Sequence, residues 1–180
     1  MKTHIALLRG INVGGKNNLP MKELVAILED LGSRNVQTYI QSGNAVFENK
    51  ENDPTRLSTK IRSQIKQRRG FEPYVLVLER EDIERAIRQN PFSEAETDPQ
   101  TLHVGFLASA PEKANLKALE SLKRDRERFH LIGKAFYLHA PEGIGRSKLA
   151  ANVEKVLGVP MTDRNWRTVC KVWEMAKGAR

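Results

Sequence analysis

The amino-acid sequence predicts an α+β fold of two tandem ferredoxin-like halves, with antiparallel or mixed sheets and additional C-terminal helices. Apolar strand patterns and amphipathic helix patterns alternate in the order β-α-β-β-α-β through residue 79. An acidic, proline-bearing segment interrupts them and predicts a connector over residues 91–100. A related order, β-α-β-β-α-α, follows. We therefore expect domains over residues 1–90 and 101–180, related by duplication.

In the first half, glycine and proline separate the elements. The apolar run at residues 3–8 predicts a strand. Pro20 opens an amphipathic helix, and Gly32 ends it. A hairpin follows, with strands over residues 36–40 and 45–47 joined by a tight turn.

The next helix is capped by Asp53 and ended by Gly70. The near-continuous apolar run at residues 74–78 predicts a strand that is buried on both faces. A short helix then stops before Pro91.

The second half has a strand over residues 101–108, a helix opened by Pro111 and a hairpin over residues 129–138. Two helices complete it. We expect Ser147 to cap the first and Thr162 to cap the second.

The composition describes a basic protein with one cysteine. Its 180 residues carry 30 Lys and Arg against 22 Asp and Glu, a net charge of +8. Because each half has 15 cations and 11 acids, the charge is spread evenly, which favours phosphorylated ligands or polyanions. The single Cys170 excludes an internal disulfide, and no apolar run has membrane-spanning length. We expect a cytoplasmic protein without membrane contact.

A glycine-rich loop at residues 9–17 joins the first strand to the first helix, and we expect the ligand there. Glycines can turn backbone amides towards one point, and amides beside a helix N-terminus bind anions. The predicted contacts are the charged side chains of Arg9 and Lys16 and the backbone amides of Gly10, Gly14 and Gly15.

The same loop nearly matches the phosphate-binding signature G-x-x-x-x-G-K-[ST]. However, Asn17 replaces the hydroxyl that would bind magnesium, and Pro20 starts the helix too late for Lys16 to lie in its first turn. We therefore prefer a simpler anion-binding loop, and a turn needed only for packing is the alternative.

Two later segments bring cations to predicted helix N-termini, where the helix dipole disfavours them. The residues concerned are Arg146, Ser147 and Lys148 in the first segment, and Arg164, Asn165 and Arg167 in the second. Ordinary capping is the alternative role for the polar residues. An anion between the cations would stabilise them, so we expect a second anion contact that converges with the glycine loop.

The turn between the first two hairpin strands supplies candidate polar contacts. Gln41 and Asn44, together with Asn12, could read a ligand through their side-chain amides. Ser42 is a further contact, but it is a poor nucleophile candidate because no base is evident and no G-x-S-x-G motif is present.

Two further patterns have ordinary alternatives. The helix over residues 56–69 carries six basic residues and no acid. Helices that bind nucleic acid have this composition, but it is more often found on a helix face that only contacts solvent. The strand order resembles that of RNA-recognition domains, but residues 43–47 have one aromatic where those domains need three. The four histidines lack ligand spacing, so we predict no metal site and assign no cofactor.

Four ordered motifs resemble a known family. They are LRGINVGGK at residues 8–16, TYIQSGN at 38–44, GRS at 145–147 and RNWRTV at 164–169. Together they resemble the bacterial domain of unknown function 1697 over nearly the whole chain. Val172 stands where members often have leucine, a difference at the level of packing. The resemblance implies an α+β fold of two related halves and brings no established activity.

Three functions stay open on this basis. The first is the binding of an anionic ligand, which is a nucleotide, another small molecule or a nucleic acid. The second is an enzyme acting on a small phosphorylated or carboxylated substrate in a cleft between the halves, although the sequence offers no clear general base. The third is a structural or partner-binding protein whose glycines serve only the fold.

Overall fold

The computed structural model describes residues 1–178, and the chain divides into two compact units. One unit contains residues 1–84 together with the C-terminal residues from Lys171, and the other contains residues 85–170. Each has a four-stranded antiparallel sheet, and the described residues form six α-helices. The predicted α+β class is confirmed.

The first unit follows the predicted order of elements. These are β1 (Lys2–Arg9), α1 (Met21–Asp30), β2 (Arg34–Tyr39), β3 (Asn44–Asn49), α2 (Pro54–Arg69), β4 (Tyr74–Glu79) and the start of α3 (Arg80–Arg88). The strands lie in the order β2-β3-β1-β4, and every neighbouring pair is antiparallel. The C-terminal ends of β1 and β2 and the N-terminal ends of β3 and β4 therefore lie at the same end of the sheet.

Polar and glycine residues fix the ends of α2. The Asp53 carboxylate accepts hydrogen bonds from the amides of Thr55 and Arg56 at 2.9 and 3.3 Å. Gly70 ends the helix in the left-handed conformation, with φ of 80°. Both ends agree with the prediction.

The core of the first unit contains alternate residues of β1. Ala6 and Leu8 are fully buried there, in one cluster with Leu28 of α1 and Ile61 of α2. Since β1 and α1 share this core, packing fixes both ends of the glycine-rich loop between them.

The second unit repeats the pattern of the first. Its elements are β5 (Leu102–Leu107), α4 (Leu116–Leu122), β6 (Arg128–Ile132), β7 (Ala135–His139), α5 (Lys148–Leu157), β8 (Met161–Asn165) and the start of α6 (Trp166–Gly178). The strand order is β6-β7-β5-β8. A 3₁₀ helix over Ser93–Thr97 lies within the predicted connector. Helix α4 begins after its Asn115 cap, later than the predicted start at Pro111.

Strand β8 corrects the prediction for the end of the chain. Thr162 is buried in this strand and pairs with Phe106 of β5, so the expectation that it caps the last helix is wrong. The cap is Asn165, whose Oδ1 accepts a hydrogen bond from the Thr168 amide at 3.0 Å. The strand escaped prediction because an edge strand with mostly polar residues lacks an apolar run.

No helix within residues 1–178 combines the length and the apolar composition that crossing a bilayer requires.

Candidate functional site

The glycine-rich loop forms a small β-hairpin of its own. Val13 and Lys16 form an antiparallel bridge, and the Lys16 amide donates a hydrogen bond to the Val13 carbonyl at 3.0 Å. Gly14 and Gly15 make the turn, with φ of 58° and 72°. Positive φ at both central residues characterises a type I′ turn. Both glycines are exposed, and within residues 1–178 neither amide donates to a protein group.

Two asparagines hold the hairpin in place. The Asn12 Nδ2 donates to the carbonyls of Leu19 and Gln41 at 2.9 and 2.8 Å, and its Oδ1 accepts from the Leu19 amide at 2.8 Å. The Asn17 Nδ2 donates to the Gly10 carbonyl at 2.9 Å. The side chain of Asn12, expected to read a ligand, therefore serves the loop itself.

The hairpin is distinct from the first turn of α1. That helix begins at Met21, with Pro20 at its cap position. The exposed amides of Gly14 and Gly15 therefore belong to a hairpin turn and not to a helix N-terminus. The P-loop alternative is excluded on the same ground, because Lys16 does not lie in the first turn of a helix.

The turn between β2 and β3 packs against the start of the glycine loop. Gly43 has φ of 90°, and a Cβ there would lie 2.8 Å from both Leu8 Cβ and Ile11 Cδ1. The Leu8 amide donates to the Gly43 carbonyl at 2.8 Å. Glycine is required at this position by conformation and by space.

The polar residues of this turn differ in exposure. Asn44 is fully buried, and its Nδ2 donates to the Tyr39 carbonyl at 2.9 Å and to Ser42 Oγ at 3.2 Å. Gln41 and Ser42 are exposed. Asn44 thus has a structural role, whereas Gln41 and Ser42 present their side chains to solvent.

The two cations predicted for the loop have different surroundings. The Arg9 guanidinium lies 5.0 Å from the centroid of the Tyr74 ring, a cation–π contact across paired strands. Lys16 is exposed and forms no ion pair or hydrogen bond through its side chain within the described residues. Lys16 is therefore the cation of the loop that is available to an anion.

All six basic side chains of α2 are paired with carboxylates. Arg62 and Lys66 share Glu72, at 3.1 and 3.4 Å. The other pairs are Arg56–Asp53 at 3.6 Å, Lys60–Glu51 at 3.2 Å, Arg69–Glu23 at 3.3 Å and Arg68–Asp30. Such exposed pairs contribute little stability, but five carboxylates offset most of the charge of six cations. Binding of nucleic acid by this helix stays a prediction.

A groove of about 430 Å³ lies beside the glycine hairpin. Its lining residues are Asn17, Asn18, Arg68, Arg69 and Phe71. The Arg69 Nε donates to the Asn18 carbonyl at 2.9 Å, so the end of α2 is tied to the loop. From the sequence, Arg68 and Arg69 belonged only to a basic helix that either faces solvent or contacts nucleic acid, and nothing pointed to Phe71.

In the second unit, Ser147 caps α5 as predicted. It is buried, and its Oγ accepts a hydrogen bond from the Ala150 amide at 3.0 Å. Arg146 and Lys148 are exposed, and the side chains of both lack an ion pair within residues 1–178. Two available cations therefore lie at the start of this helix.

The later motif is divided between β8 and α6. Arg164 lies on β8, where its Nη1 donates to the Asp163 carbonyl at 2.9 Å, and burial lowers the pKa of its guanidinium to about 10. Asn165 uses its side chain to cap α6, and Arg167 is exposed in the first turn. Of the two arginines expected at a helix N-terminus, only Arg167 lies in the helix.

The second sheet also contains a buried histidine that the sequence analysis did not select. His103 Nδ1 lies 2.7 Å from Asp163 Oδ2, and Nε2 lies 3.1 Å from the Gln100 carbonyl. Burial acts to lower the pKa of His103, but the bonded carboxylate outweighs it and the pKa is raised. Both neighbouring atoms are acceptors, so the protonated ring, which carries a proton on each nitrogen, satisfies both contacts.

Within the described part of the chain, no three His, Cys, Asp or Glu side chains are grouped so that they could hold a metal ion.

Comparison with known families identifies the chain. The sequence profile of a family described as a protein of unknown function, DUF1697, matches residues 1–137. This chain belongs to the DUF1697 family. The resemblance of its motifs is confirmed, and the matched range includes the glycine loop and the turn at residues 38–44. The motifs at residues 145–147 and 164–169 follow the matched range.

A solved structure of a conserved bacterial protein from Streptococcus pneumoniae is similar to this DUF1697 protein. The two share 26% sequence identity with a TM-score of 0.66, over 97% of this chain and 98% of the other. No curated protein matches the chain.

Proposed function

We propose that this DUF1697 protein binds a phosphate-bearing ligand at the tip of the glycine hairpin. One observation carries the proposal: Gly14 and Gly15 expose amides without protein acceptors, immediately before the unpaired cation of Lys16. Backbone N–H groups in left-handed turns and a lysine ammonium are complementary to phosphate oxygens.

The other loop residues then act by holding this tip. Asn12 and Asn17 fix the hairpin through backbone hydrogen bonds, so its amides are oriented before a ligand arrives. Gly10, with φ of 76°, turns the chain out of β1. Arg9 adds positive potential while its guanidinium remains over the Tyr74 ring.

The contribution of the second unit stays a prediction. Arg146, Lys148, Arg164 and Arg167 would neutralise the charge of an anion bound by that unit. Gln41 and Ser42, which are exposed, would add polar contacts.

A thermal-shift screen followed by calorimetry tests the proposal. The screen covers inorganic phosphate, sugar phosphates, nucleotides and short DNA or RNA. A ligand present at about 100 times its Kd stabilises the native state by about 2.7 kcal/mol, which raises the melting temperature.

Replacing the loop lysine should weaken the binding that the screen finds. Lys16→Ala removes a charge-assisted contact, so we expect affinity to fall about tenfold to a hundredfold. Lys22→Ala is the matched control, since Lys22 is an exposed lysine on α1, and we expect no change. Equal losses in both variants, or no binding of any phosphate compound, would refute the proposal.

Nucleic acid is the second candidate, because the net charge of +8 is spread over both halves of the sequence. Binding to a polyanion loses affinity steeply with salt, whereas a ligand with one phosphate gives a shallow dependence. The slope for a mixed oligonucleotide therefore separates the two candidates.

We also propose that each unit is a ferredoxin-like, split β-α-β fold and that the two arose by duplication. The strand orders β2-β3-β1-β4 and β6-β7-β5-β8 are equivalent, which supports this relation.

We further propose a cytoplasmic location, since a chain with one cysteine suits a reducing compartment.

A further inference from the structure

The groove beside the glycine hairpin bears on which phosphate compound is bound. We infer that the ligand is a nucleoside phosphate, with its phosphate at the hairpin and its base in the groove. This inference rests on the proposed phosphate site and adds the ligand class.

The position and size of the groove support a ligand larger than phosphate. Asn17 and Asn18 line it and follow Lys16 directly in the chain, so the groove begins where the hairpin ends. The groove has a volume of about 430 Å³ and is open to solvent, so it suits a flat group that stacks on its wall.

The two arginines of the groove are held at their edges. The Arg69 Nε donates to the Asn18 carbonyl at 2.9 Å, and its Nη1 lies 3.3 Å from Glu23. Arg68 is paired with Asp30. A guanidinium fixed in this way offers its planar face, which stacks on flat conjugated rings.

Phe71 supplies the aromatic part of the lining. It is half-buried and packs against the core of the first unit, which limits its movement. Nucleobases stack on aromatic rings and on guanidinium planes irrespective of their sequence identity. The groove therefore combines both kinds of surface that bind a base.

The distribution of charge assigns the two parts of the ligand. Lys16 has no carboxylate partner within residues 1–178, whereas Arg68 and Arg69 are each offset by a carboxylate. The phosphate is attracted to the unpaired cation, and the uncharged base suits the neutralised groove.

Calorimetry with inorganic phosphate, ribose 5-phosphate and the four nucleoside monophosphates tests the inference. Stacking predicts that at least one nucleoside monophosphate binds about 5-fold to 150-fold more tightly than ribose 5-phosphate. Phe71→Leu should remove this advantage without changing the affinity for inorganic phosphate. Phe129→Leu is the matched control, since Phe129 packs on the core of the second unit, and it should change neither value.

A second variant keeps the test valid if Phe71→Leu does not fold. Arg69→Lys keeps the charge and removes the planar face, so it should reduce the same advantage. Equal affinities for ribose 5-phosphate and all four nucleoside monophosphates would overturn the inference and leave the proposed phosphate site standing. Absence of binding to every phosphate compound would overturn both.

Discussion

Replacing Gly43 by alanine should destabilise the end of the first sheet that positions the glycine hairpin. The residue has φ of 90°, and the new Cβ would lie 2.8 Å from Leu8 Cβ and from Ile11 Cδ1. Both neighbours are buried in the core, so neither can move away without disturbing its packing.

The expected magnitude has two parts. A left-handed conformation costs a non-glycine residue about 1–2 kcal/mol, and overpacking adds about 1–3 kcal/mol. Gly14→Ala is the matched control, because Gly14 is also left-handed but a Cβ there would contact nothing within 4 Å. The lower entropy of the unfolded chain affects both variants similarly. Gly43→Ala should therefore be less stable than Gly14→Ala by about 1–3 kcal/mol.

Urea unfolding followed by circular dichroism measures this difference from the midpoints of the two variants at a common slope. Equal free energies of unfolding would show that the space around Gly43 is not restricted. The assignment of that turn as a packed support for the glycine loop would then be wrong.

Three further predictions concern other parts of the chain. His103 has a pKa raised above 6.5, so its contribution to stability is full below this pH and is lost as the pH rises through the raised pKa. In His103→Gln, the free energy of unfolding should therefore fall less steeply over that pH range. Burial lowers the pKa of His4, so stability is lost as pH falls below 6.5, and His4→Phe should reduce the acid-side loss. Asn165→Ala should cost about 1 kcal/mol by removing the cap of α6, measured by urea unfolding.

Each of these predictions has an opposing result. The pH argument is wrong if the two histidine variants change the stability profile on the same side of pH 6.5. An Asn165→Ala variant as stable as the wild type would contradict the cap.

The sequence was informative wherever the structure depends on local signals. Asp53 and Ser147 cap the N-termini of helices, and Gly70 ends a helix. All three act through contacts within a few residues, and all three positions were predicted. Strand β8 was missed because its residues are mostly polar, and its identity depends on pairing with β5. The His103–Asp163 pair was missed for the same reason, since it joins those two strands.

The sequence indicated a candidate loop but not the contacts within it. The glycines and Lys16 indicated the loop, and its residues from Val13 to Asn18 are exposed. An asparagine that binds a ligand and one that stabilises a turn have the same side chain. The sequence therefore did not reveal that Asn12 and Asn44 hydrogen-bond to backbone carbonyls of the loops. Carboxylates distant in sequence, such as Asp30 for Arg68, also offset the charge of α2 in a way that the helix alone did not reveal.

Phosphate titration followed by amide NMR tests the central claim most directly. We predict saturable shifts of the Gly14 and Gly15 amide resonances, with a higher phosphate concentration needed at half-saturation in Lys16→Ala. Gly133 is the internal control, because it is an exposed left-handed glycine that precedes a lysine in another hairpin. Resonances of Gly14 and Gly15 that stay unchanged, or that move no more than that of Gly133, would contradict the proposed phosphate site.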